Sequence, residues 1–121
     1  MRNYFSILRG SVAMLLVVIT CVVAFAQPAH VAIGFTSPLS GPDATYGQGL
    51  RQGVQLAIER ANVGGGVNGR LLELISLDDG GDPMRATNNA RELLQRGVVA
   101  ITGVYGARAT AAVATVLTRE G

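Results

Sequence analysis

Three short, mostly apolar runs, each followed by a helical pattern, constrain this chain most. The first is HVAIGFT, His30 to Thr36, rich in β-branched and aromatic residues. It reads as a buried strand. LLELISL, Leu71 to Leu77, is the second, and VVAIT, Val98 to Thr102, the third. Between the first two, apolar residues fall at Leu50, Val54, Ala57, Ile58 and Ala61, with Gln52, Gln55, Glu59 and Arg60 on the other side. That spacing predicts one helix over Tyr46 to Asn62, with Asp43 or Thr45 as its cap and Gly64-Gly65-Gly66 as its stop. Asp82-Pro83 predicts a second helix start, with Ala86, Ala90, Leu93 and Leu94 on its apolar side and Gly97 at its end. A third helix is expected over Ala109 to Glu120, presenting Ala112, Val113, Val116 and Leu117. The order is β-α-β-α-β-α. Strands apolar throughout are covered on both faces, which requires a parallel sheet between helices. The expected class is therefore α/β, a doubly wound parallel sheet with helices on both faces.

The segment before the first strand has a different character. Arg2 and Arg9 precede VAMLLVVITCVVAFA, Val12 to Ala26, which carries no charge and ends in Ala24-Phe25-Ala26. A basic start, a fifteen-residue apolar stretch and an A-x-A site describe a secretory signal peptide cleaved after Ala26. The stretch is shorter than the roughly 20 apolar residues a membrane-spanning helix needs. Residues 1–26 are thus expected to be a leader and residues 27–121 the α/β part, exported to the periplasm. Eight Arg then face eight acids, so the formal excess of +2 belongs to the leader, and no basic patch remains for nucleic acid. The sole cysteine, Cys21, lies in the leader, so the rest carries no disulfide.

In such sheets ligands sit beyond the carboxyl ends of the strands. The loops there are Ser37–Tyr46, Asp78–Asp82 and Gly103–Thr110. Gly64-Gly65-Gly66-Val67-Asn68-Gly69 matches GxGxxG in letters. A dinucleotide loop follows a strand and opens a helix, whereas this one follows a helix and leads into a strand. It reads as a helix stop and a tight turn. Gly47, Gly49 and Gly53 stand too far from the first strand for a phosphate loop, and read as close packing of helix on sheet. Asp78, Asp79 and Asp82 lack the alternation of an EF-hand loop; Asp82 reads as a helix cap and Asp79 as a solvated or turn-forming residue. No catalytic set is visible: His30 is the only histidine, and Ser37 and Ser40 have no base within sequence reach. No cofactor and no metal are expected. Tyr46 and Tyr105 sit in loops at the ligand edge, beside Gly, Ser and Thr. An apolar wall with small polar residues and free backbone N–H groups suits a small zwitterion or carboxylate. Ordinary loop packing of both tyrosines is the competing reading.

The combination of LSGP followed by YG, then GGVNGR, DDGGDP and a strand-G-x-x-G loop, in that order from Val31 onward, resembles the start of the type I periplasmic solute-binding proteins of ABC transporters. Within that family it is most similar to the leucine/isoleucine/valine-binding group. The resemblance implies a two-lobed receptor that closes on a small-molecule ligand and docks on an inner-membrane ABC permease. It implies binding rather than catalysis, with residues 27–121 forming the N-terminal part of the first lobe. Tyr46 matches the aromatic that lines the cleft. Gly106, Ala107 and Arg108 match the segment that holds the ligand carboxylate, and Thr110 follows on the third helix.

Some residues depart from the family pattern. Ala107 stands where leucine-binding members have a contacting Ser, so a hydroxyl donor is gone. Arg108 brings a charge to that loop. Gly81 and Gly106 stand where those members join the second and third loops by a disulfide. A strict leucine specificity is therefore not implied, and other amino acids, amides or aromatic acids fit as well. The second lobe is not in this sequence, so the chain alone is expected to bind weakly or not at all. Two alternatives share the fold: an amide- or amino-acid-sensing receptor, and an inactive fragment.

Overall fold

The computed structural model describes residues 30–120. The expected leader, residues 1–26, and its expected cleavage after Ala26 lie outside the described residues. β1 (Val31–Ser37), β2 (Leu72–Asp78) and β3 (Ala100–Thr102) alternate with α1 (Ala44–Val63), α2 (Pro83–Gln95) and α3 (Ala107–Glu120). The three strands form one sheet in the order β2-β1-β3. β1 is central and pairs in parallel with both neighbours, from Val31 opposite Leu72 to Ser37 opposite Asp78, and from Ile33 opposite Ala100 to Phe35 opposite Thr102.

Side-chain alternation divides the helices between the faces. Leu93 of α2 lies against Gly34, and the Asn89 amide donates to the Thr36 hydroxyl at 3.0 Å, so the even-numbered residues of β1 face α2. The odd face carries Ile33 and Phe35, with their β2 partners Leu74 and Ser76 beside α1. One helix therefore covers one face and two cover the other, as the all-apolar strands require. Ala86 and Ala90 of α2 meet Ala109, Val113 and Val116 of α3 in a buried cluster, with Leu94, Ile101, Val104 and Leu117 packed around it. Alanine at the crossing lets the two helix backbones approach, and burying these groups stabilises by roughly 25 cal/mol per Å² of apolar surface.

Local signals set most boundaries. Asp82 caps α2 through the Met84 N–H at 2.7 Å, with Pro83 at the first helical position. The GGGVNG segment is a helix stop followed by a hairpin: Val67 and Arg70 bond each other's backbone, and Asn68 and Gly69 both have positive φ. That is the Asn-Gly turn chemistry of a two-residue hairpin, not a phosphate cradle. Asn62 then ties the end of α1 to the start of β2, donating to the Leu72 carbonyl at 2.8 Å and accepting its N–H at 2.7 Å.

Several expectations need correction. α1 is predicted to bury Leu50, Val54, Ala57, Ile58 and Ala61, yet only Ile58 of these is buried; Leu50 is 43% exposed. Three strands offer one flank of this helix a surface, and among the described residues nothing packs on the other. Asp43 occupies the cap position of α1 without a side-chain capping bond. β3 is shorter than Val98–Thr102, because the edge strand pairs only through Ala100–Thr102, with Val99 reaching the Ala32 carbonyl at 2.9 Å. α3 starts at Ala107 rather than Ala109, since the Gly106 carbonyl already accepts the Thr110 N–H at 3.0 Å. Ala107 and Arg108 are therefore helical, not loop, residues.

Candidate functional site

The strand order reverses at β1: α1 leads from it to β2 on one side, and α2 leads back across it to β3 on the other. At such a switch point the loops after the two diverging strands splay apart and leave a crevice. The loop after β1 and the loop after β3 flank it here. Tyr46, on the first turn of α1, and Tyr105, just before α3, meet across it. Their rings stack with centroids 5.5 Å apart and planes 11° from parallel. Tyr46 remains 62% exposed, so the stack forms a platform open to solvent and not a core contact.

Tyr105 separates two grooves. The larger, about 600 Å³, runs along α1 and is walled by Tyr46, Gly49, Leu50, Gly53, Val54 and Tyr105. It offers mostly carbon. The smaller, about 330 Å³, lies between the second and third loops and is lined by Asp43, Gly81, Tyr105, Gly106, Ala107 and Arg108 among others. Its lining is mixed, polar and apolar. Five of the six residues assigned to the site, Tyr46, Tyr105, Gly106, Ala107 and Arg108, thus stand around the tyrosine pair. Thr110 does not line either groove, and its hydroxyl donates back to the Gly106 carbonyl at 2.9 Å, one turn earlier in α3.

The aspartates beside the crevice hold its loops in place. Asp78, at the end of β2, accepts the Leu39 N–H at 2.8 Å, the Ser40 N–H at 3.2 Å and hydroxyl at 2.5 Å, and the Gly80 N–H at 2.8 Å. Arg85 reaches its backbone carbonyl at 3.1 Å and its carboxylate at 3.8 Å. One carboxylate therefore ties the first loop to the second. The Ser40 hydroxyl bond, aided by the backbone N–H groups and opposed by partial burial, lowers its pKa from 3.8 to about 2. A depressed carboxylate stabilises the fold above its unfolded pKa and stops doing so as pH falls through the folded value. Stability is accordingly expected to decline between about pH 4 and pH 2. Asp78→Asn should remove that slope and cost about 1–2 kcal/mol at neutral pH, read by urea unfolding at both pH values. An unchanged acid slope in the variant would show that the tie carries no charge-dependent stability.

Asp79 is not solvated, as one sequence reading had it: it is 1% exposed. Its carboxylate accepts the Thr36 hydroxyl at 3.0 Å and the Gly81 N–H at 2.8 Å, so the turn-forming reading holds. With Asp82 capping α2, all three acids of this turn are occupied by protein donors. Among the described residues no three His, Cys, Asp or Glu side chains converge as metal ligands. Sequence reading missed the Asp78 tie because its partners lie 38 and 39 residues away. It also missed Ser37, whose hydroxyl is fully buried and has no hydrogen-bond partner.

A parallel doubly wound layer with an aromatic pair at its switch point has the form in which open α/β sheets take ligands. The chain belongs to the periplasmic binding protein family, whose model matches residues 30–121. The Leu/Ile/Val-binding protein homolog 3 of Brucella melitensis is 31% identical over 98 residues, covering 81% of this chain and 27% of that protein. Two crystal structures share the fold, which is that of the type I periplasmic binding proteins. A possible leucine/isoleucine/valine-binding protein from Rhodopirellula baltica superposes with a TM-score of 0.72 at 28% identity, over 76% of this chain and 25% of that one. The branched-chain amino acid transporter substrate-binding protein LivJ from Streptococcus pneumoniae, in complex with isoleucine, superposes with a TM-score of 0.69 at 32% identity, over 74% of this chain and 26% of that one. The chain thus spans about a quarter of the length of these relatives.

Proposed function

We propose that this chain supplies the first-lobe portion of an extracytoplasmic substrate-binding protein of an ABC uptake system, taking an amino acid or related carboxylate. The observation that carries this reading is the Tyr46–Tyr105 stack at the sheet's switch point, with an almost wholly apolar groove on one side and a mixed groove carrying Asp43 and Arg108 on the other. A small amphiphile fits that division: its charged head beside Gly106, Ala107 and Arg108, its hydrocarbon against the tyrosine faces and α1. The backbone N–H groups at the start of α3 supply donors for a carboxylate. Relatives named for leucine, isoleucine and valine, and a neighbour holding isoleucine, support a branched-chain amino acid as one ligand. Ala107 offers no side-chain hydroxyl, which favours a broader range that includes amides and aromatic acids. Residues 1–26 fit a signal peptide cleaved after Ala26, and the family fits a periplasmic location with an inner-membrane ABC permease as partner. The role is binding, not catalysis.

The chain presents one side of the cleft, so its own affinity is expected in the millimolar range. Titration of the isotope-labelled full chain with L-leucine, L-valine, acetamide and 4-hydroxybenzoate, followed by NMR, tests this. The expected result is saturable shifts centred on Tyr46, Tyr105 and the Gly106–Arg108 amides for at least one of them. Tyr105→Ala should weaken that binding about tenfold by removing the shared wall of both grooves. Shifts confined to other surfaces would remove the reading.

A further inference from the structure

Four aspartates stand around the crevice, and one of them differs from the rest. Asp78, Asp79 and Asp82 have their carboxylates engaged by Ser40, Leu39, Gly80, Thr36, Gly81 and Met84. Asp43 stands before α1 but forms no capping bond; the Tyr46 and Gly47 N–H groups go to its backbone carbonyl at 3.0 and 3.3 Å. An aspartate there ordinarily turns its carboxylate onto the N–H of the second or third helical residue, here Thr45 or Tyr46. Instead Oδ2 of Asp43 leans over the second loop, where a Cβ built on Gly81 would lie 3.8 Å from it. It lines the smaller, mixed groove.

The basic side has the same asymmetry. Arg85 is engaged by Asp78. Arg108, on the first turn of α3, lines the groove that Asp43 lines and has no ion-pair partner among the described residues. Asp43 and Arg108 do not pair with each other. Gly81 and Gly106 stand in the same groove without side chains, so nothing fills the space at those two positions. One concave site therefore holds one unpaired acid and one unpaired base, walled by Tyr105. Opposite charges held apart in a concavity complement a ligand that carries both signs.

We infer that Asp43 and Arg108 are the specificity-determining pair of this groove, Asp43 taking the ammonium and Arg108 the carboxylate of an α-amino acid. The inference rests on the proposed function and adds to it that this one side of the cleft reads both charges of the zwitterion. Charge-assisted hydrogen bonds of this kind are the stronger class. Neither side chain contributes a hydrogen bond or ion pair to the fold, so substituting either leaves the folded structure in place, which circular dichroism verifies.

The test compares three probes on the full chain by NMR titration: L-leucine, 4-methylpentanoate, which lacks the ammonium, and 3-methylbutylamine, which lacks the carboxylate. Leucine is expected to bind about tenfold more tightly than either single-charge analogue. Asp43→Asn should cut leucine affinity about tenfold more than that of 4-methylpentanoate, and Arg108→Gln should weaken both of those while sparing the amine. If leucine binds at the tyrosine pair but Asp43→Asn weakens it no more than 4-methylpentanoate, this inference falls and the proposed function stands. Equal affinity of leucine and 4-methylpentanoate for the unaltered chain has the same consequence. If no probe shifts the groove amides at about 50 mM, both fall together.

Discussion

Gly47→Ala is expected to destabilise the chain by about 3 kcal/mol and to pull Tyr46 off Tyr105. A Cβ built on Gly47 would lie 1.9 Å from the Pro38 carbonyl oxygen, 2.6 Å from its carbon and 3.2 Å from the Pro38 nitrogen. All three atoms are backbone, so no side-chain rotation relieves the overlap. Pro38 is itself buried at the end of the central strand, which fixes it from the other side. The helix must move, and the first turn carries Tyr46. Urea unfolding should report the stability loss, and near-ultraviolet circular dichroism the loss of the stacked tyrosines. Two neighbours provide the control. Gly49 and Gly53 lie on the same helix, and a Cβ on either meets nothing within 4 Å. Replacing these by Ala should instead stabilise by about 0.5–1 kcal/mol each, through helix propensity alone. If Gly47→Ala matched Gly49→Ala, α1 would not begin against Pro38, and the placement of Tyr46 would be wrong.

The same glycines show where sequence reading stops. Gly47, Gly49 and Gly53 look alike in the chain, and spacing assigns all three one role, close packing on the sheet. Only Gly47 has it, because which glycine meets the Pro38 carbonyl depends on the rotation of α1, which spacing alone leaves free. Periodicity did specify the existence and order of all six elements, and Asp82-Pro83 specified the start of α2 to the residue. These are local signals. The apolar stripe of α1 was legible as a stripe but not as an exposed one, since burial depends on what stands opposite Leu50 and Ala57. β1 as the central strand was not legible either, because nothing in VAIGFTS distinguishes a central from an edge strand.

The site divides along the same line. Tyr46 and Tyr105 are legible in the sequence because both fall in segments beyond strand carboxyl ends, where the fold class places ligands. Their stacking joins loops 59 positions apart and rests on the 2-1-3 strand order, which brings the loops after β1 and β3 side by side. Asp43 was legible only as a helix cap, since the local sequence says aspartate before a helix. Its carboxylate lies instead beside Gly81, in a loop that approaches α1 only in the folded chain.

Asp79→Ala is expected to cost about 3 kcal/mol, and the reason lies in what its carboxylate satisfies. Thr36 is fully buried in β1, and its hydroxyl accepts from the Asn89 amide at 3.0 Å while donating to Asp79 at 3.0 Å. The Gly81 N–H depends on the same carboxylate at 2.8 Å. Alanine leaves the Thr36 hydroxyl proton without an acceptor in a place water does not reach and strips the Gly81 N–H of its partner, while Asn89 still holds the hydroxyl in position. Asp79→Asn is milder, about 1–2 kcal/mol, because its carbonyl oxygen can keep the Gly81 bond while its amide faces Thr36 as a second donor. Thr36→Val removes the other partner. Combined with Asp79→Ala, it should lose at least about 1 kcal/mol less than the sum of the two single variants, since the stranded hydroxyl is gone. Strict additivity in urea unfolding would mean that Thr36 and Asp79 act separately. The chain would then keep β1 and the second loop together by other contacts, and the crevice beside Tyr105 would not depend on this buried bond.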